Sequence, residues 1–306
     1  MPVLQRLQRY WMLAIGNRVR HVGCAVPGFY PLDAFEAAWV VNLLAETGIP
    51  LATIAPDAAK QLRQRLSAAL RPEGATISRS GGLPPDGDDT AMVILALRHL
   101  GADPPLTPLL AFAREDHIAC YPFERDHSLS TNAHALLALD NHHSAWQAAS
   151  RCLLALQAPD GHFTDKWHVS PFYATFRAIR ALMIQHDEKS RFAARHAAQW
   201  ILRSQRPDGG WGCLDSSTVE ETAYAVLALS STREPEMVAL PILLGGQYLT
   251  QHTATPFALP WHQPKLWRDK ELYALPRVIQ AAVLAAIQVA MATQQEATQE
   301  DVFHVE

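Results

Sequence analysis

Two stretches, CLLALQAPDGHF (Cys152–Phe163) and WILRSQRPDGGW (Trp200–Trp211), decide how this chain folds. Each ends an apolar helix with Gln, continues into Pro-Asp-Gly and closes on an aromatic residue. Pro cannot continue a helix, and Gly accepts the positive φ that the following turn requires. The two glutamines stand 48 residues apart, a period that suits helical hairpins stacked side by side, each one a supersecondary unit covering its neighbours.

Working outward, apolar periodicity predicts helices near 4–19, 31–46, 55–70, 88–100, 105–115, 129–139, 143–157, 170–185, 188–204, 218–230, 236–250 and 273–294, with no convincing strand. Every second one is rich in Ala, Leu and Val, as in AMVILALRHL (91–100), AHALLALD (133–140) and ETAYAVLALS (221–230), while its partners carry more charge. A helix apolar on all sides is buried, so the alternation predicts an all-α double barrel of about twelve helices, six inside six. Such a barrel gathers the N-termini of its inner helices at one mouth.

The bulk numbers agree with a globular chain. Of 306 residues, 49% are hydrophobic and 18% charged, and the net charge of −4 excludes nucleic acid as the expected partner. The four cysteines, Cys24, Cys120, Cys152 and Cys213, form no CxxC pair, so neither zinc nor a disulfide framework is expected and a reducing cytoplasm is the expected location. The opening MPVLQRLQRYWMLAIGNRVRH carries arginines throughout, which counts against a signal peptide and favours a helix packed on the domain. No stretch is expected to span a bilayer. The expected division is an N-terminal helix and linker over 1–29 and one barrel over 30–306.

Chemistry concentrates in PPDGDDTAM (84–92), where Asp86, Asp88 and Asp89 crowd three carboxyls into four residues at the start of an apolar helix. Capping needs one. Like charges this close resist ionising together, so burial leaves a protonated carboxyl available as a proton donor, against the pull of the helix N-terminus toward the charged form. Ser170 to Tyr173 and Thr218, Glu220 and Glu221 open two further inner helices, where Ser170 and Thr218 read equally well as ordinary caps. A metal site is the rival reading of the triplet, and the metal ligands stay unassigned.

PDGDDTA resembles the DxDDTA signature of class II terpene cyclases, and the two Gln-PDG-aromatic stretches resemble the QW repeats of that superfamily. YPLDAFEAAWVVNLLAETGI, DKWHVSPFYATFRAIRAL, QRPDGGWG, STVEETAYAVLAL and LWRDKELYALPRVIQAAVLAA are similar to segments of bacterial class II diterpene cyclases of the copalyl diphosphate synthase kind, from about Tyr30 to about Ala286. The resemblance implies the terpenoid cyclase and protein prenyltransferase-like (α/α)6 toroid. It implies Asp88 as the acid, Asp86 and Asp89 as its tuning neighbours, and His134 in STNAHALLAL as the group that orients the acid's proton; packed in the core is the bland reading of that histidine. The implied reaction protonates the terminal alkene of a prenyl diphosphate, geranylgeranyl diphosphate in this family, and closes rings with the diphosphate retained; farnesyl diphosphate of drimane-type chemistry is the alternative.

Trp167, Phe172, Tyr173, Trp211, Tyr224, Trp267 and Tyr273 are candidates to shield the cation, Trp167 and Tyr173 foremost because they lie in the family-like KWHVSPFY run. Lys166, Arg268, Lys270 and Arg277 are candidates to hold the diphosphate, with Mg2+ as the family's metal. The family's separate N-terminal γ domain is expected to be absent, leaving the mouth to a second copy or a partner chain. Three other readings follow: a prenyltransferase β-type subunit holding zinc with Asp, Cys and His, a squalene-hopene-type cyclase with an apolar membrane segment, and a non-catalytic helical scaffold.

Overall fold

A computed structural model describes residues 32–78, 83–139, 141, 143–232, 234–253, 264–268 and 272–303. The helix expected over 4–19, and the 1–29 segment as a whole, lie outside the described residues. Among the described residues twelve helices follow in chain order: α1 Asp33–Ala45, α2 Leu51–Ile54, α3 Pro56–Ala69, α4 Gly87–His99, α5 Thr107–Leu110, α6 Leu129–Ala138, α7 Ser144–Ala155, α8 Pro171–Met183, α9 Glu188–Arg203, α10 Val219–Ser230, α11 Pro235–His252 and α12 Pro276–Phe303. Six of them, α1, α4, α6, α8, α10 and α12, each pack on the next, and α12 packs back on α1 to close a ring. Outside it, α3 lies on α1 and α4, α7 on α6, α9 on α8 and α10, and α11 on α10 and α12. This is the α/α barrel that the alternation of apolar and charged helices predicts.

The sequence explains which helix goes where. In α10, Val219 through Leu229 are all buried, so no side of the helix is left for water. In α9 the buried set is Ser190, Ala193, Ala194, Ala197, Ala198 and Ile201, the three-and-four spacing of a helix with one face on the core. Its small alanines let α9 approach the ring closely, and truncating the large Ile201 to Ala would cost about 2–5 kcal/mol.

The two repeated turns act as hooks between outer helices. Gln157, just past α7, donates from Nε2 to the Gly161 carbonyl at 2.9 Å and to the Ala193 carbonyl of α9 at 2.8 Å. Gln205, just past α9, does the same to Gly209 and to Pro241 of α11, both at 3.0 Å. Gly161 and Gly209 have φ of 104° and 82°, and a Cβ on either would strike the backbone carbonyl of His196 or Leu244. The closing aromatics, Phe163 and Trp211, are buried, and the Trp211 indole donates to the Ile201 carbonyl at 2.8 Å.

Three expectations need correction. The helix over 105–115 is a single turn, Thr107–Leu110, because Pro104 and Pro105 precede it and Pro108 sits within it, removing the amide hydrogens a longer helix needs. Two short antiparallel strands exist, β1 Trp267–Arg268 and β2 Leu272–Tyr273, paired Trp267 to Tyr273 and Arg268 to Leu272. They are too short for the alternation of a strand to show in sequence. Finally, Pro276–Thr298 within α12 is long and apolar enough to cross a membrane by length and composition. Its apolar side is spent on the ring, where Val278, Ile279, Ala282, Val283, Ala285 and Ala286 are buried.

Candidate active site

The mouth is organised around the start of α4. Asp86 is its N-cap, with Oδ1 accepting the Asp89 N–H at 2.7 Å, so capping consumes one carboxyl of the three. Residue 87 must be glycine: its N–H donates to the Cys120 carbonyl at 2.7 Å, and a Cβ there would collide with the Ala119 carbonyl. That close approach turns the following carboxyls, Asp88 and Asp89, inward; all three are buried.

Burial dominates their chemistry. It pushes the Asp88 carboxyl up to about 8, with the Asp165 charge adding to it and the positive charges of Arg177 and Lys166 opposing. Asp86 and Asp89 are also raised by burial, and Asp89 further by the charge of Asp86 beside it. Desolvation therefore outweighs the helix N-terminus, and at Asp88 burial together with the Asp165 charge favours the protonated form at neutral pH.

His134, wholly buried on α6, places Nδ1 2.7 Å from Asp88 Oδ1. Its Nε2 lies 2.8 Å from Arg177 Nε of α8 and 3.5 Å from the Tyr173 hydroxyl. Burial, then the Arg177 charge, pushes His134 well below the ordinary range, so the imidazole is neutral and its contact with Asp88 is a hydrogen bond rather than an ion pair. Tyr173 in turn accepts from the Trp39 indole of α1 at 2.9 Å.

Asp86, Asp88 and Asp89 face a cavity of about 330 Å3, inside the range of small-molecule sites. Phe35, Tyr121, Trp167, Tyr173, Trp267 and Tyr273 supply its aromatic lining, and Arg268 is the basic residue among the described ones that line it. The rings pack on one another: Phe35 meets Trp267 edge-on at 5.5 Å, and Tyr173 lies 4.9 Å from Trp267. Phe172, Trp211 and Tyr224 are not among the lining residues; they are core. Two family-like runs meet here, since β1 pairs with the loop before α8 through Val169 N–H to the Leu266 carbonyl at 2.7 Å and Arg268 N–H to the Trp167 carbonyl at 2.8 Å. Behind the lining, Glu220 Oε1 accepts the Trp267 indole at 2.9 Å and the Tyr224 hydroxyl at 3.2 Å and lies 3.3 Å from His168 Nε2.

The cationic candidates separate. Arg268 is at the cavity, whereas Lys166 sits beside Trp167, 5.4 Å from its ring centre, paired with Glu124 and bonded to the Asp126 carbonyl at 3.0 Å. Arg277 is exposed and bonded to Glu36 at 3.0 Å, away from the lining, because it opens α12 where that helix meets α1. Lys270 lies outside the described residues. Ser170 and Thr218 are caps, accepting from the N–H groups of Phe172 and Glu221. Sequence reasoning did not single out Arg177, Asp165, Phe35 or Cys120. Arg177 alone left a signal, a charged residue inside the apolar run YATFRAIRAL, where an unpaired arginine is almost never buried.

Burial pushes all three cavity carboxyls toward the neutral form, whereas magnesium is held by ionised oxygen ligands. Among the described residues one other group of metal-capable side chains occurs, Asp116, His117 and His127 on the α5–α6 loop, with ligand atoms within 4.8 Å of one another. Two imidazoles with one carboxylate suit zinc-class metals better than magnesium, and the group lacks the cysteine of the prenyltransferase set. Two of its members are exposed, and the described contacts are a 2.7 Å bond from Asp116 to His117 and a 3.6 Å approach to His127.

Residues 110–261 match the family model for the squalene-hopene cyclase C-terminal domain. A copalyl diphosphate synthase of Streptomyces cyslabdanicus is 37% identical over 87% of this chain and 51% of its own length. An ent-copalyl diphosphate synthase structure from Streptomyces platensis superimposes with a TM-score of 0.77 at 38% identity, covering 88% of this chain and 53% of its own. A type II terpene cyclase from Scytonema, at 15% identity and a TM-score of 0.66, covers 96% and 99% and shares the fold. The chain spans about half the length of the curated relatives it matches.

Proposed function

We propose, from the premise that this chain belongs to the class II terpene cyclases, that it carries the proton donor of a prenyl diphosphate cyclase and is an isomerase of the copalyl diphosphate synthase type. The observation that carries the reading is Asp88: buried, its carboxyl pushed up to about 8 by that burial, 2.7 Å from His134 Nδ1, and set in the wall of an aromatic cavity.

The step balances without a cofactor. The Asp88 O–H bond breaks as a C–H bond forms at the terminal alkene, and the positive charge passes to successive internal double bonds as two rings close. A base then removes one proton, so the product is an isomer of the substrate. The faces of Trp167, Tyr173, Trp267 and Tyr273 stabilise the migrating charge, and Arg268 attracts the diphosphate. Magnesium belongs to the proposal as a counterion of that diphosphate. Geranylgeranyl diphosphate is the proposed substrate, with a bicyclic labdane-type diphosphate as product, in keeping with relatives named for copalyl and labda-7,13-dienyl diphosphates.

A cation exposed to water ends as an alcohol, so the mouth requires a cover. Phe123 and Leu272, 97% and 45% exposed beside the cavity-lining Tyr121 and Tyr273, support a second surface there, from another copy or a partner chain. The buried thiols Cys120 and Cys152, both free, support a cytoplasmic location.

The test is to incubate the chain with geranylgeranyl or farnesyl diphosphate and magnesium, then identify products by gas chromatography and mass spectrometry. A bicyclic alcohol released only after phosphatase treatment, absent with D88N, is expected from the C20 substrate. Product from farnesyl diphosphate alone would move the assignment to the drimane type, and none from either would point to a missing partner over the mouth, another substrate, or a scaffold role.

A further inference from the structure

We infer that Arg177 is a positioning residue whose Nε–H locks His134 as the neutral Nδ1–H tautomer, so that His134 donates to Asp88 Oδ1 and the transferable proton stays on Asp88 Oδ2. The inference rests on the proposed acid role of Asp88 and adds the device that keeps it an acid.

The argument is one of donors and acceptors. A guanidinium has N–H donors and no acceptor, so the 2.8 Å contact from Arg177 Nε requires a lone pair on His134 Nε2. The Tyr173 hydroxyl, whose oxygen receives the Trp39 N–H at 2.9 Å, is free to point its own hydrogen at the same nitrogen from 3.5 Å. A neutral imidazole with Nε2 bare carries its hydrogen on Nδ1. That hydrogen faces Asp88 Oδ1 at 2.7 Å, which makes Oδ1 the accepting oxygen and leaves the acid proton to Oδ2.

Arg177 is itself fixed. It is 1% exposed on α8, with Nη2 3.5 Å from Met92 Sδ of α4, and its charge is felt by Glu46, which forms an ion pair with Arg180 at 2.8 Å. The charged and titratable groups around His134 are thus Asp88 from α4, Arg177 and Tyr173 from α8, and Asp165 from the loop before α8; Trp39 of α1 closes the remaining side, its ring perpendicular to the imidazole with centres 5.5 Å apart. Imidazolium is opposed twice, by a bond that occupies Nε2 and by a buried positive charge beside it. Without Arg177, His134 takes the proton from Asp88, giving an imidazolium–carboxylate pair with the same number of protons and no acid.

The experiment reads the imidazole nitrogens of the full chain by 15N NMR, with His134 assigned by its disappearance in H134N. In the unmutated protein Nδ1 is expected protonated and Nε2 bare, unchanged across neutral pH; a hydrogen on Nε2 overturns the inference. In R177M both nitrogens should become protonated, kcat should fall on the order of 10²-fold with KM little changed, and activity should return on the acid side, where the pair gains a second proton. R177K, which keeps an N–H donor, should recover part of the rate. Unaltered His134 nitrogens in R177M, or an equal loss of rate at every pH, would reduce Arg177 to packing. The spectrum of the unmutated protein needs no variant to fold and no substrate. Failure of the cyclase reading would show separately, as absence of product from the unmutated enzyme.

Discussion

Two inner helices open on clustered carboxyls, and the structure treats them in opposite ways. At the start of α10, Glu221 is met by donors on both oxygens: the Ser170 hydroxyl at 2.6 Å, the Cys213 N–H at 2.9 Å and the Thr218 hydroxyl at 2.9 Å. Its neighbour Glu220 holds the Trp267 and Tyr224 side chains. At the start of α4, by contrast, Asp88 meets one imidazole and the Thr131 hydroxyl; each cluster leaves one buried oxygen without a partner, Asp89 Oδ1 here and Glu220 Oε2 at α10. Burial is common to both places. What separates an anchor from an acid is how many donors surround the carboxyl, because each donor bond stabilises the charged form and a carboxyl that lacks them keeps its proton.

The comparison can be broken most severely at Asp88. D88N keeps the shape and removes the proton; product formation should fall by about 10³-fold or more while prenyl diphosphate binding, measured by calorimetry, changes little. Full turnover in D88N would end the distinction. H134A leaves the acid without its donor and should lower kcat on the order of 10²-fold, whereas unchanged turnover would return His134 to core packing.

The pH dependence sharpens the contrast further. Asp88 must be protonated to act, so the rate should fall about tenfold per pH unit above about 8. The stability linkage has the same sign: a carboxyl raised in the folded state contributes stability that is complete below its unfolded value and lost as pH rises through about 8. Denaturation curves of D88N should accordingly lose part of the fall in stability between the ordinary carboxylate range and about pH 8. The smallest effect on chemistry is expected at the anchor. E221Q presents an N–H2 to hydroxyls and an amide that need an acceptor, costing about 1–3 kcal/mol in urea unfolding and leaving the per-molecule rate of the folded enzyme nearly intact.

How much of this was legible in the sequence depends on range. The barrel was legible because helical periodicity and the 48-residue repeat are local signals. The Asp triplet was legible because three carboxyls exceed what a cap requires. The partners of Arg177 and Glu220 were not, since His134 and Trp267 lie 43 and 47 residues away and only the closed ring brings them together. Arg268 and Arg277 looked alike in LWRDKELYALPR, yet a short strand turns one to the cavity and a helix start turns the other to Glu36. The apolar run around Leu109 resembled a helix because apolar content was weighed above the prolines flanking it.

Arg277 found a use after all. Its bond to Glu36 joins residues 241 apart at the seam where α12 meets α1. A ring that closes between its first and last members cannot form while the chain is still being made: until α12 leaves the ribosome, the flanks of α1 and α10 that it covers stay open. Loop closure over such a span is slow relative to local helix formation. The nascent chain therefore passes through an open crescent of finished hairpins, and the seam is where a chaperone would find apolar surface and where assembly would be committed last.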